Sequence, residues 1–258
     1  MGEPELIYER RGPAAVITFN RPQARNAMTF AMYEALRERC DEVDADGDVR
    51  VLVLRGAGGR AFVSGTDIRQ FLDFDSGGTG VDYEAGIDRY IGRLDRVRKP
   101  TIALVDGYAV GAGLAIAAAC DLRVCTPEAQ FGLPIARTLG NCLSMAGYAR
   151  LAAVLGEART KDIVFTARMV GADEALAAGL VSAVVATDDI DEHVFALAER
   201  VASHAPITLR VTKEALRRIR EANVPDGADL VAEAYGSEDF RQGVAAFLEK
   251  RRHTWTGT

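Results

Sequence analysis

The stretch DGYAVGAGLAIAAACD, from Asp106 to Asp121, has no charged side chain between its two end aspartates. It opens with Gly107, Gly111 and Gly113. Side chains of this kind can neither donate nor take a proton at neutral pH. The backbone has another option. N–H groups exposed at a strand-to-helix turn can donate to an oxygen that gains negative charge, and the helix dipole favours that charge. A second donor must come from a second turn, and Ser64-Gly65, directly after the apolar Ala61-Phe62-Val63, is placed to supply it. Two other uses of the glycines compete. A dinucleotide fingerprint needs G-x-G-x-x-G, but the spacing here is G-x-x-x-G-x-G, with Ala115 where the third glycine should fall. Alternatively, the glycines only let a helix pack closely on a sheet. The residues of this stretch alone do not separate that packing role from an oxyanion site.

The remaining reactive residues form no cluster. Cys40, Cys120, Cys125 and Cys142 have no C-x-x-C spacing, and His193, His204 and His253 are scattered, so no metal signature exists. The cysteines read as small hydrophobes in a reducing, cytoplasmic setting. A net charge of −6 argues against a nucleic-acid partner, since the one basic cluster is Lys250-Arg251-Arg252. The longest apolar stretch, Ala109 to Cys120, is too short and too rich in glycine and alanine for a membrane span, and the polar start MGEPELIYER is no signal peptide. With 258 residues, 48% of them hydrophobic, the chain can bury a large α/β core.

These turns need elements to hold them. Leu6–Tyr8 and Ala14–Asn20 read as strands around Arg11-Gly12-Pro13. Thr29 caps a helix running to Asp44, with Met32, Leu36, Cys40 and Val43 at helical spacing. Val49–Arg55, Ala61–Val63, Thr101–Val105 and Leu122–Cys125 read as further strands, with a helix over Ala85–Val97. Phe71–Tyr83 is polar and glycine-rich and reads as a mobile surface loop over a site. From Leu143 onward the pattern is almost purely helical, over Leu143–Leu155, Thr160–Phe165, Ala172–Ala178, Asp189–Ser203, Pro206–Ala222 and Glu238–Arg252.

Several motifs together carry a resemblance. AFVSGTDI (61–68) resembles A-F-x-A-G-A-D-[LI] of the crotonase superfamily, the enoyl-CoA hydratase/isomerase family. KPTIALVDGYAVGAGLAIAAACDLR (99–123) is similar to its K-P-x-I-A-A-V-x-G-x-A-x-G-G-G-x-E-L-x-x-x-C-D-x-R. NRPQARNAM (20–28), AQFGLP (129–134), ARLAAVLG (149–156) and GLVSAVV (179–185) match in order along nearly the whole chain. The resemblance implies an α/β fold, a spiral of ββα units over residues 1–200, followed by a helical trimerisation region over 201–258. It implies an acyl-CoA thioester as substrate, with CoA entering as part of it and no separate cofactor. The backbone N–H groups of Ser64 and Ala112 would form the oxyanion hole. CoA would lie near Ala24, Arg25, Ala61, Thr66, Asp67 and Ile68, with Phe247 and Lys250 contributed by the C-terminal helix, from this or a neighbouring subunit. For Asp67, helix capping competes with ligand contact. A homotrimer or a dimer of trimers is typical of the family.

The pattern breaks where the hydratases of the family keep two glutamates. The position in G-G-G-x-E is Ala115, and the one ending F-G-x-P-E is Ile135. Proton transfer by a positioned side chain is worth about 10²–10⁴-fold, so ordinary hydration is expected to suffer. Candidate substitutes are Asn141, Cys142, Arg137 and the loop acids Asp73, Asp75 and Asp82, with Asn141 the one retained. Thioester hydrolysis, C–C cleavage and acyl-CoA binding without catalysis remain alternatives on the same scaffold.

Overall fold

The computed structural model describes residues 4–222 and 224–258. The chain opens with β1 (Leu6–Arg11), β2 (Ala14–Phe19) and α1 (Phe30–Ala45). It continues with β3 (Val51–Gly56), β4 (Ala61–Val63) and α2 (Gly77–Asp95). Next come β5 (Thr101–Val105), β6 (Tyr108–Val110) and α3 (Ala112–Ala119), then β7 (Leu122–Cys125), β8 (Gln130–Gly132) and the single turn α4 (Ile135–Thr138). The ββα order therefore runs through the first part of the chain. From the second unit on, the first strand of each pair joins one sheet and the second strand joins another. The larger sheet has the order β1-β2-β3-β5-β7-β10 and the smaller one β4-β6-β8-β9. Neighbours β2, β3, β5 and β7 are parallel, as are β4, β6 and β8, because a helix separates each strand from the next in its sheet.

Alternation along the central strands sorts the core into two faces. Ile17, Leu52, Leu54, Ala103 and Val105 point into one cluster, which α1 covers with Met32, Tyr33, Leu36, Cys40 and Val43. Val16, Val51, Val53, Ile102 and Leu104 point to the other, which Ile190, Val194, Phe195, Ala198 and Val201 cover. Covered on both faces, these strands read as continuous apolar runs.

The later chain holds α5 (Met145–Leu155), α6 (Glu157–Thr166), β9 (Met169–Gly171), α7 (Ala172–Ala177), β10 (Ala183–Val184), α8 (Ile190–Ala202), α9 (Pro206–Glu221), α10 (Ala228–Gly236) and α11 (Glu238–Leu248). It is not purely helical. β9 extends the smaller sheet antiparallel to β8, and β10 extends the larger one beside β7. Strands of three and two residues, like β6 and β8 earlier, are too short to show alternation in sequence. α10 is a further helix between the expected ones, and α11 ends at Leu248 rather than Arg252. Among the described residues, no helix is long and apolar enough to cross a membrane.

The expected mobile loop over 71–83 is instead packed. Phe71, Phe74 and Tyr83 meet Tyr235 and Phe240 in an aromatic cluster, with Phe71 and Tyr83 ring centroids 5.0 Å apart. Two of its glycines serve contact rather than motion. A Cβ on Gly80 would lie 2.2 Å from Tyr235 Cβ, and one on Gly77 would lie 2.2 Å from the Ala232 carbonyl oxygen. They let α2 lie against α10. Ser76 caps α2 by accepting from the Thr79 N–H.

Candidate active site

The two turns singled out by their residue types meet. A Cβ on Gly111 would sit 3.6 Å from Gly65 Cα. Gly111 takes a left-handed φ of 56° and caps α3 without a side chain. Ala112 is the first residue of α3, and the first N–H groups of a helix have no partner within it. Gly113 answers to packing. Its absent side chain would fall 1.9 Å from the Val63 carbonyl oxygen, so α3 lies directly on β4. Both glycine readings therefore apply, at different glycines.

The Ser64 turn is braced from the N-terminal motif. Met28 N–H donates to the Gly65 carbonyl and Asp67 N–H to the Met28 carbonyl, both at 2.8 Å. Asn26, fully buried, donates to the carbonyls of Ala57 and Ala61 at 2.9 and 2.7 Å. Arg21 reaches the Ala27 carbonyl at 2.6 Å and Asp67 at 3.2 Å. Ser64 N–H itself donates to the Arg25 carbonyl at 3.2 Å, the long end of the usual range.

Both turns open on one cavity of about 150 Å³. Ser64, Thr66, Ile68, Ala112 and Asn141 line it, as do Ala115 and Ile135, which are 9% and 7% exposed. Phe247 of α11 also lines it within this chain. The Thr66 hydroxyl sits between those of Tyr33 and Tyr83, at 2.8 and 2.9 Å.

Other expected residues lie elsewhere. Ala61 is 1% exposed inside β4 and is not among the lining residues. Asp67 caps the short 3₁₀ turn Ile68–Phe71 and pairs with Arg69 and Arg21, and the Arg69 guanidinium above all holds its carboxyl down at about 2. Ala24 closes a 3₁₀ turn outside the cavity, and Arg25 and Lys250 are exposed in left-handed conformations. Arg137, Asp73, Asp75 and Asp82 are exposed, as are His193 and His204. His253 lies 3.3 Å from Asp239. Cys142 is half-buried, and burial pushes its thiol up to about 12, far from a reactive thiolate.

Sequence reading missed the acid that lines the cavity, Glu84 of α2, which is 5% exposed. Tyr235 O–H donates to its Oε1 at 2.7 Å and Ser144 N–H to its Oε2 at 2.9 Å. Asn141 Nδ2 donates to Tyr235 O at 3.1 Å, which joins three residues distant in sequence. Burial raises the Glu84 carboxyl to about 7, with Asp88 pushing the same way and the two hydrogen bonds opposing. A signal did exist: in GVDYEAGIDRYI, Glu84 shares a helix face with Ile87 and Ile91, three and seven residues on.

Fold and site together define a crotonase-type protein. A structure described as an enoyl-CoA hydratase/carnithine racemase from Magnetospirillum magneticum matches 100% of this chain and 97% of its own, with TM-score 0.81 and 31% identity. A methylmalonyl-CoA decarboxylase complexed with 2S-carboxypropyl-CoA matches over 100% of both chains, with TM-score 0.89 and 26% identity. The short-chain-enoyl-CoA hydratase of Clostridium acetobutylicum is 33% identical over 253 residues, covering 96% of this chain and 95% of its own. The profile of the enoyl-CoA hydratase/isomerase family matches residues 9–258, and the chain belongs to that family.

Proposed function

We propose that this protein processes acyl-CoA thioesters by holding the thioester oxygen on the N–H groups of Ser64 and Ala112 as that oxygen gains enolate charge. The observation that carries this reading is the meeting of two strand-to-helix turns on one largely apolar cavity, with α3 uncapped by any side chain. Backbone donors fixed in a dry site need no reorganisation as charge develops. Ser64 N–H exchanges its long bond to the Arg25 carbonyl for the thioester oxygen. CoA enters as part of the substrate. Thr66, Ile68 and Phe247 face its acyl end, while half-buried Ala24 and exposed Arg25 and Lys250 meet the charged end. Ala61 and Asp67 act through the backbone geometry they brace.

The reaction is of the hydratase/isomerase type, with Ala115 and Ile135 at the positions the motifs assign to carboxylates. A second reading is C–C cleavage by decarboxylation. Loss of carbon dioxide leaves the electron pair that forms the enolate, so no base is needed. The match to the methylmalonyl-CoA decarboxylase over the full length of both chains favours it. The test is mass spectrometry after incubation with crotonyl-CoA, a β,γ-enoyl-CoA and methylmalonyl-CoA. A product heavier by one water, or a shifted double bond, supports the first reading, and loss of carbon dioxide supports the second. Unchanged thioesters that still bind overturn both.

The proposal extends to assembly as a homotrimer or dimer of trimers. α9 buries none of its residues within the chain, yet carries exposed Ile207, Val211, Leu216 and Ile219. Apolar area of this kind favours contact with a second copy.

A further inference from the structure

We infer that Glu84 is the proton-transfer residue of this site, in place of carboxylates at positions 115 and 135. This inference rests on the acyl-CoA reading above and supplies the group which that reading lacks. Among the described residues lining the cavity, Glu84 is the one acid, and it shares that cavity with Ser64, Ala112, Ala115 and Ile135. A carboxylate buried for structure alone is normally paired with a cation. Among the described residues no cation sits against Glu84. It faces Tyr33 of α1, Tyr83 and Asp88 of α2, Cys142, Tyr148 of α5 and Tyr235 of α10. Its two hydrogen bonds, from Tyr235 and Ser144, occupy one lone pair on each oxygen and leave acceptor capacity on both. Burial holds its carboxyl near neutral, where one group serves as base and then as acid. Asn141 is the positioning residue. Its Nδ2 fixes Tyr235, and its buried Oδ1 has no partner among the described residues.

The step balances. The Glu84 carboxylate takes a proton from the carbon next to the thioester carbonyl. The C–H pair becomes the enolate double bond, and the carbonyl π pair moves to the oxygen held at Ser64 and Ala112. The Glu84 acid then returns a proton to the same carbon or, along a conjugated chain, two carbons further on. A single carboxylate suits this shuttle.

The test is deuterium uptake by butyryl-CoA in D₂O, followed by mass spectrometry across pH, with binding measured by calorimetry. The wild-type protein exchanges, faster as pH rises through the Glu84 midpoint. Glu84→Gln binds butyryl-CoA unchanged and exchanges about 10²–10⁴-fold more slowly, the range for losing a positioned proton-transfer group. Tyr235→Phe removes a donor to the charged carboxylate, so the midpoint of the pH profile moves up. Exchange by Glu84→Gln at the wild-type rate overturns the assignment and leaves the enolate reading standing. Wild-type protein that binds butyryl-CoA without any exchange overturns both. Should Glu84→Gln not fold, an unmoved midpoint in Tyr235→Phe overturns the assignment alone.

Discussion

Replacing Glu84 by glutamine should change how stability depends on pH, and the size of that change follows from the burial of the side chain. The carboxyl is raised from 4.5 to about 7 in the folded protein. A group raised on folding stabilises the native state while protonated, and that contribution falls as pH climbs through the folded value. Between pH 5 and pH 8 the unfolded chain has released most of its proton while the folded protein is still releasing it. Integrated over that window, with 1.36 kcal/mol per unit, the wild-type protein loses roughly 2–3 kcal/mol through Glu84 alone. The amide of the variant carries no proton to lose. Whatever fixed cost or gain that amide brings, it is the same at both pH values. The stability of Glu84→Gln relative to wild type should therefore improve by roughly 2–3 kcal/mol from pH 5 to pH 8. At about 2–4 °C per kcal/mol for a chain of this size, the difference in Tm should shift by roughly 5–10 °C. Thermal unfolding by circular dichroism at the two pH values, at one protein concentration, measures it. A difference in Tm that stays the same at both pH values would mean that Glu84 is not desolvated as the structure places it, and the proton-transfer argument would lose its physical basis.

Other perturbations separate packing from ligand contact. Gly113→Ala sets a Cβ 1.9 Å from the Val63 carbonyl oxygen, a backbone atom that cannot swing aside. Differential scanning calorimetry should show a loss of about 1–3 kcal/mol, and thioester binding should fall as α3 lifts from β4. Asp95→Ala leaves Arg150, 4% exposed, without its carboxylate partner at 3.5 Å. Chemical denaturation should report a loss of about 3–5 kcal/mol, the cost of a stranded buried charge. Phe247→Ala acts at a residue 47% exposed that lines the cavity, so Tm should barely move while the KM for an acyl-CoA substrate rises. An unchanged KM would remove α11 from the binding site.

Particular residues mark where sequence reading works. The oxyanion candidates are legible because a glycine turn with no charged side chain is a local pattern, and Ser64 and Ala112 do line one cavity. The central strands are legible because a strand covered on both faces must be apolar throughout, as Val51–Leu54 are. The segment 71–83 misleads for a local reason. Gly77 and Gly80 look the same whether they give freedom or make room, and only the positions of Ala232 and Tyr235, far along the chain, distinguish the two. Asp67 is legible as a cap, but its pairing with Arg21 depends on the loop that carries Arg21 folding back.

By itself, the sequence determined the central strands, the two glycine turns, the family and the absence of carboxylates at 115 and 135, because each is written in residue types a few positions apart. Only the tertiary structure decided which acid faces the cavity. Glu84, Asn141 and Tyr235 lie on separate segments, with Tyr235 151 residues beyond Glu84, and they meet because α10 folds back onto the glycines of α2. The character of Glu84 comes from that meeting as well. An exposed glutamate in the same helix would be an ordinary carboxylate. Burial beneath α10, with no cation beside it among the described residues, raises it toward neutrality, and desolvation is a property of the packed chain that no short stretch of residues encodes.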